Sequence, residues 1–291
     1  MSVTVAKHGG HGADAQREER ASRDYLELLD RLHCRLLPRT YCEIGVNTGK
    51  SLALVLPGTT AVGVDPEPRI VTRVPRSASV VSLTSDDFFQ RYSASHFFGA
   101  DPLDFAFIDG MHLFEFALRD FINLEKWCAP GSVIVAHDCY PIDEAAAARE
   151  RTTRQWTGDV WKLVLCLKEF RPDLKVSTVD VPPSGLCIIT GLDPTSRELE
   201  ANYTEICERF IGLDYSAIAE GTDEKLNAVT NDWAVVRDML PAAPFRAANS
   251  ELLRHLRSAR FPSRNLLARG IKRSVPPSVK NVLAPARRFL G

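Results

Sequence analysis

The stretch Thr40-Tyr-Cys-Glu-Ile-Gly-Val-Asn-Thr-Gly-Lys50 constrains this chain more than any other. Tyr41 to Ile44 reads as a short buried strand, which breaks into a glycine turn and opens a helix at Lys50-Ser51-Leu52. A strand that runs through glycines into a helix start is how open α/β sheets make room for a nucleotide-like ligand. The spacing departs from the dinucleotide fingerprint. Glu43 stands where its first glycine would be, followed by Gly45 and Gly49, giving Glu-x-Gly-x-x-x-Gly. An acid at that point repels a pyrophosphate and welcomes a cation or an amine. A βα turn can also use its glycines for geometry alone.

Further strands follow at regular spacing. Thr60 to Val64 ends in Asp65, about twenty residues past the turn, where an acid can accept hydrogen bonds from ribose hydroxyls. Ser79 to Leu83 leads to Thr84-Ser85-Asp86-Asp87, which can face an adenine amino group or serve as a helix N-cap. Asp86 is the preferred adenine contact over Ser85 and Asp87. Leu103 to Ile108 is continuously apolar and ends in Asp109-Gly110-Met111-His112. A helix comes next, with Phe114, Ala117, Leu118, Phe121, Ile122 and Leu124 on its buried side, stopped by Pro130-Gly131. The fifth strand, Ser132 to Ala136, ends in His137-Asp138. In a parallel sheet these ends share one edge, where such folds bind ligands.

Asp143 to Gln155 reads as a mobile helix or lid, and Gly158 to Phe170 as a further helix. Lys175 to Val181 and Leu186 to Thr190 are joined by so short a loop that they form an antiparallel hairpin. A nicotinamide-dependent oxidoreductase would continue its sheet in parallel, and it loses on this hairpin and on Glu43. The expected fold is therefore α/β: a doubly wound, Rossmann-like, seven-stranded sheet, mostly parallel with one antiparallel hairpin strand.

Asp109 and Asp138 end adjacent strands, so their carboxylates can converge and bind a divalent cation such as Mg²⁺. His137 can supply a third ligand, and an imidazole tilts the preference towards Mn²⁺, Fe²⁺ or Zn²⁺. His112 can lie over the same pocket, with a pKa suited to taking a proton from a hydroxyl. Each of these residues also has a plain structural reading, as a hydrogen-bonded histidine or a capping aspartate.

The first motif resembles that of the class I S-adenosylmethionine-dependent methyltransferases, whose glycines pass close to the methionine part of the ligand. Phe-Ile-Asp-Gly-Met-His at 107–112 and Ala-Pro-Gly-Ser-Val-Ile-Val-Ala-His-Asp at 129–138 resemble the metal-dependent sugar O-methyltransferases, the macrocin- and rhamnosyl-methylating enzymes among them. The resemblance covers about residues 39–192. It implies S-adenosyl-L-methionine as cofactor, held by Glu43, Gly45, Gly49, Asp65, Asp86 and Asp109. It implies His112 as catalytic base beside Asp109, with Asp109 and Asp138 around a Mg²⁺ or Mn²⁺ ion, to which the residue reading adds His137. His137 is a departure, standing where many relatives have Glu or Asp. The implied acceptor is a sugar, glycoside or other polyhydroxylated small molecule, its pocket built from segments 139–160 and 193–240, and the implied assembly is a homo-oligomer.

The organisation expected is a mobile leader over residues 1–16 and a methyltransferase domain over 17–192, which includes an amphipathic helix from Gln16 to Leu37. A helical extension over 193–240 and a basic tail over 241–291 complete it. His8 and His11 in the leader are able to hold a metal, although a tag-like leader needs none. From Ala242 onward eleven basic residues face the single acid Glu251, a charge of +10 that leaves −11 on residues 1–241 of a chain with net charge −1. An acidic body argues against nucleic acid as its ligand. The tail, with leucines among its arginines, can touch a membrane surface or a protein partner. A scaffold protein on a methyltransferase fold, anchored by that tail, is the alternative function. The seven scattered cysteines form no Cys-x-x-Cys pair, and neither a signal-peptide core nor a membrane-spanning run is legible, which together indicate a cytoplasmic protein.

Overall fold

A computed structural model describes residues 21–246. The leader, the start of the first expected helix and nearly all of the basic tail lie outside these residues.

The described strands form one sheet in the order β3-β2-β1-β4-β5-β7-β6-β8. Its members are β1 (Thr40–Ile44), β2 (Thr60–Val64), β3 (Ala78–Val81), β4 (Leu103–Ile108), β5 (Cys128–His137), β6 (Lys175–Val179), β7 (Leu186–Thr190) and β8 (Ala228–Val229). Strands β1 to β5 pair in parallel, whereas β7 runs antiparallel to both β5 and β6. The mostly parallel sheet closed by one hairpin is as expected. The strand count is eight rather than seven, because β8, from a segment read as helical, pairs in parallel with β6.

Parallel central strands are covered on both faces and therefore read as continuous apolar runs. All six residues of β4 are buried. Alternation sends Ala106 and Ile108 into one core and Phe105 and Phe107 into the other. Helix α1 (Tyr25–Leu36) lays Leu28, Leu29, Leu32 and Leu36 against the Phe105 face. It starts at Asp24, whose side chain accepts from the Glu27 amide at 2.9 Å. After β3, two short helices follow, α2 (Ser85–Arg91) and α3 (Ala94–Phe98). On the opposite face lie α4 (Phe114–Glu125) and α5 (Trp161–Phe170), with Phe114, Leu118, Phe121, Trp161 and Leu163 buried. Segment 193–240 packs into both cores, through Leu199, Ile206, Phe210, Ile218 and Leu226 in one and Val236 in the other.

Several expectations are corrected. No α-helix opens at Lys50; a 3-10 turn, Leu52–Leu54, stands there. Pro57 and Gly58 follow within a few residues, and the residue before a proline is pushed out of the helical region, leaving no room to propagate a helix. Helix α4 ends at Glu125, before Pro130, and that proline belongs to β5. The β4–β5 register slips between Leu103↔Cys128 and Phe105↔Val133, so Pro130 and Gly131 bulge outwards and are exposed. Segment 143–155 forms turns rather than a helix. Within the expected helical extension, Glu198–Ala201 and Tyr203–Ile211 form two separate helices. Among the described residues no helix is long and apolar enough to cross a membrane.

Candidate active site

The carboxyl ends of β1, β2, β4 and β5 open onto a cavity of about 740 Å³. Its wall includes Gly45, Asp65, Asp86, Asp109, His112, His137 and Asp138, so seven of the nine site residues expected from sequence meet in one place. The other two, Glu43 and Gly49, lie behind the wall.

Glu43 is fully buried in β1. Its carboxyl accepts the Tyr41 hydroxyl at 2.8 Å and the Ser51 hydroxyl at 2.7 Å. Burial pushes it up to about 8, against the opposing pull of those two hydrogen bonds. Through these bonds Glu43 fastens Ser51, and with it the turn that follows β1. Gly45 does form the wall, at φ +89°, and a Cβ there would fall 1.9 Å from the Asp109 carbonyl oxygen. Gly49 (φ +77°) makes the turn and packs against Ile70 and Val74. The Asp65 carboxylate closes the loop from the other side, accepting from the Val46, Asn47 and Glu67 amides at 3.0, 2.7 and 2.8 Å. Asp86 reaches the wall at the end of the cavity near Thr84 and Ser85, but both its oxygens are held by Arg119 at 2.8 Å each.

At the centre, one ligand atom from each of Asp109, His137 and Asp138 lies within 4.8 Å of the others, an arrangement able to hold a metal ion. The His137 Nδ1 is 3.0 Å from Asp109 Oδ1 and 3.5 Å from Asp138 Oδ2. Its Nε2 lies 3.3 Å from the Ser184 hydroxyl, which donates to Asp138 Oδ1. Burial disfavours the His137 cation, yet the Asp109 and Asp138 carboxylates outweigh it and raise His137 to about 10. Asp138 is held below the usual carboxylate range, mainly by His137 and then His112, despite burial that acts to raise it. An imidazolium thus balances two carboxylates, as a bound cation would.

His112 stands beside this cluster, Nδ1 2.8 Å from Asp138 Oδ2 and Nε2 3.7 Å from Asp109 Oδ1. Burial lowers its basicity, but the adjacent Asp138 more than compensates and the net shift is upward. Both His112 (φ +57°) and Asp138 (φ +61°) adopt the left-handed backbone region, which non-glycine residues take up at a cost and which clusters at functional sites. Gly158 makes the His112 geometry possible, since a Cβ there would sit 1.7 Å from the His112 carbonyl oxygen.

Sequence reasoning missed four residues. Tyr25, at the start of α1, stacks on His137 with ring centroids 4.1 Å apart. Trp156 lies parallel to His112 at 5.4 Å. Ser184 bridges His137 and Asp138, and Asp120, on α4, lines the cavity although nearly fully buried. Each sits in a pattern with an ordinary explanation, a helix face or a turn, so only the folded arrangement singles it out. Segment 139–160 contributes to the wall as expected, through Ile142 and residues 154–157, whereas no lining residue comes from 193–240.

Residues 42–139 match a family model described as "Methyltransferase domain". No curated protein matches the chain. Among solved structures, it is similar to cofactor-bound Rv0187 from MTB, with 18% identity over 62% of this chain and 86% of that one and a TM-score of 0.47. It is similar to the O-methyltransferase TomG from Streptomyces achromogenes, in complex with SAM, with 18% identity, coverage of 62% and 87%, and a TM-score of 0.47. The MycE methyltransferase of the mycinamycin biosynthetic pathway, in complex with Mg, SAH and Mycinamycin VI, shares 15% identity over 57% of this chain and 49% of that one, with a TM-score of 0.39. Residues 42–139 thus match a methyltransferase domain, and the mostly parallel sheet closed by one antiparallel hairpin has the class I methyltransferase arrangement.

Proposed function

We propose that the protein transfers the methyl group to a hydroxyl of a sugar, glycoside or other polyhydroxylated small molecule, assisted by a divalent metal. The observation that carries this reading is the convergence of Asp109, His137 and Asp138 within 4.8 Å, beside a histidine able to act as base. Two carboxylates and an imidazole fit a divalent ion, and the imidazole suits Mn²⁺ better than Mg²⁺. His137 must release its proton to coordinate, because ligating imidazole is neutral. A metal held by these side chains supplies a Lewis acid that orients vicinal hydroxyls and lowers their pKa.

The methyl sulfonium is already electrophilic, so the protein's task is alignment and proton removal. Alignment contributes roughly 7–11 kcal/mol, and a placed base about 10²–10⁴-fold. Gly45 allows close backbone approach of the methionine part, and Asp65 is placed to accept from ribose hydroxyls. The acceptor oxygen bonds to the methyl carbon as the carbon–sulfur bond breaks, and the hydroxyl proton passes to His112. Asp138 faces the Nδ1 of His112 and orients the ring, which leaves Nε2 to accept that proton. Tyr25 and Trp156 line the same cavity and hold the two imidazoles by stacking on His137 and His112.

The test is methyl transfer to a panel of glycosides and polyols, in EDTA and then in Mn²⁺ or Mg²⁺. Methylation of a hydroxyl that Asp138→Asn abolishes is expected. His112→Ala is expected to lower kcat about 10²–10⁴-fold while S-adenosylhomocysteine affinity stays within a few-fold. A His112→Ala rate within a few-fold of wild type, or transfer to nitrogen, would contradict the reading.

A further inference from the structure

We propose that Asp120, on the inner side of α4, is the residue that reads the 6-amino group of the cofactor's adenine. The inference rests on the cavity being the S-adenosylmethionine site; Thr84, Ser85, Phe116 and Asp120 all line it.

The residue that sequence position favours for this task, Asp86, is committed elsewhere. Arg119 grips both its oxygens and also donates to the Tyr203 hydroxyl at 2.6 Å, tying α2 to the helix Tyr203–Ile211. A carboxylate in a bidentate guanidinium pair has already spent its strongest acceptor directions. Asp120 is the reverse case. It lines the same cavity, it is only 2% exposed, and its Oδ1 has no hydrogen-bond partner among the described residues. A buried polar atom left unpaired costs about 1–3 kcal/mol, and in a native structure such an atom calls for a reason. Gly110 packs directly against the other oxygen, a Cβ there standing 3.5 Å from Asp120 Oδ2.

The chemistry suits an adenine edge. A carboxyl oxygen accepts from the exocyclic amine, and a protonated carboxyl can also donate to a ring nitrogen, the two-point pattern that an amide side chain makes with adenine. Burial holds the Asp120 carboxyl up to about 7, despite the Ser85 hydroxyl that pulls it down, so both forms are accessible near neutral pH.

The experiment is calorimetric titration with S-adenosylhomocysteine and with its analogue bearing hydrogen in place of the 6-amino group. Wild type should bind the natural nucleoside about ten-fold more tightly, the worth of one buried hydrogen bond. Asp120→Ala, and Asp120→Leu as a variant that fills the space, should bind the two ligands equally. Asp120→Asn and Asp86→Asn should keep the preference. A purely structural Asp120 would weaken both ligands alike and leave the ratio intact, which would overturn the inference. So would loss of the ratio in Asp86→Asn alone. If wild type bound neither ligand, the assignment of the cavity to this cofactor would itself fail.

Discussion

Buried carboxyl groups flank the cavity, and their protonation couples the site to stability. Glu43 and Asp120 are raised to about 8 and about 7, well above an ordinary carboxyl near 4. Across that interval the folded protein holds protons that the unfolded chain has released, so stability is greatest in acid and falls as pH rises through these values. Thermal melts from pH 5 to 8 should therefore show a declining Tm. Glu43→Gln should flatten its share of the decline, since an amide still pairs with Tyr41 and Ser51 and has no charge to bury; an unchanged slope would contradict the tie described here. Gly45→Ala should abolish S-adenosylhomocysteine binding in a titration and lower Tm by several degrees, because its Cβ would overlap the Asp109 carbonyl. At this scale the acids and histidines at strand ends were legible, as polar residues closing apolar runs. Their partnerships were not. Nothing in the spacing of Glu43 distinguishes an acid that meets a ligand from one bonded to Tyr41 and Ser51.

Among the elements, the segment after β5 departs most from its sequence reading. Expected to be a mobile helix or lid, residues 143–155 form turns pinned by Arg149, which pairs with Glu115 at 2.6 Å and with the buried Asp159 at 2.6 Å. Asp159 also binds Lys162, itself 2% exposed, and accepts from the Phe114 amide, so one network joins this segment to the starts of α4 and α5. Buried charges survive only when paired in this way. Arg149→Met should therefore loosen the segment, speed proteolysis within residues 141–157 and raise acceptor KM. The Kd for S-adenosylhomocysteine should stay within about three-fold, given that one unpaired partner costs about 1–3 kcal/mol locally. Unchanged proteolysis would show that the network does not hold the segment. Helix propensity is local, whereas Arg149 reaches Glu115 on α4, and Trp156 and Thr157 fold back onto the Ala148 and Ala146 carbonyls. The same limit explains β8, a two-residue strand whose pairing with β6 no periodicity could announce.

For the whole molecule, the alternation of apolar strands and helices made the architecture legible, because a parallel sheet must bury both faces and that demand is written into β1, β4 and β5. The antiparallel closure followed from the short loop before β7. Convergence of seven site residues on one edge follows from the same topology. What lay beyond the sequence was the balance at the centre, where His137 as a cation already offsets Asp109 and Asp138. The most direct test of the account is calorimetric titration of the full chain with S-adenosylhomocysteine, first in EDTA and then in excess Mn²⁺ or Mg²⁺. The account predicts micromolar binding in both conditions, with added metal required for turnover. Absence of binding under every condition would contradict it.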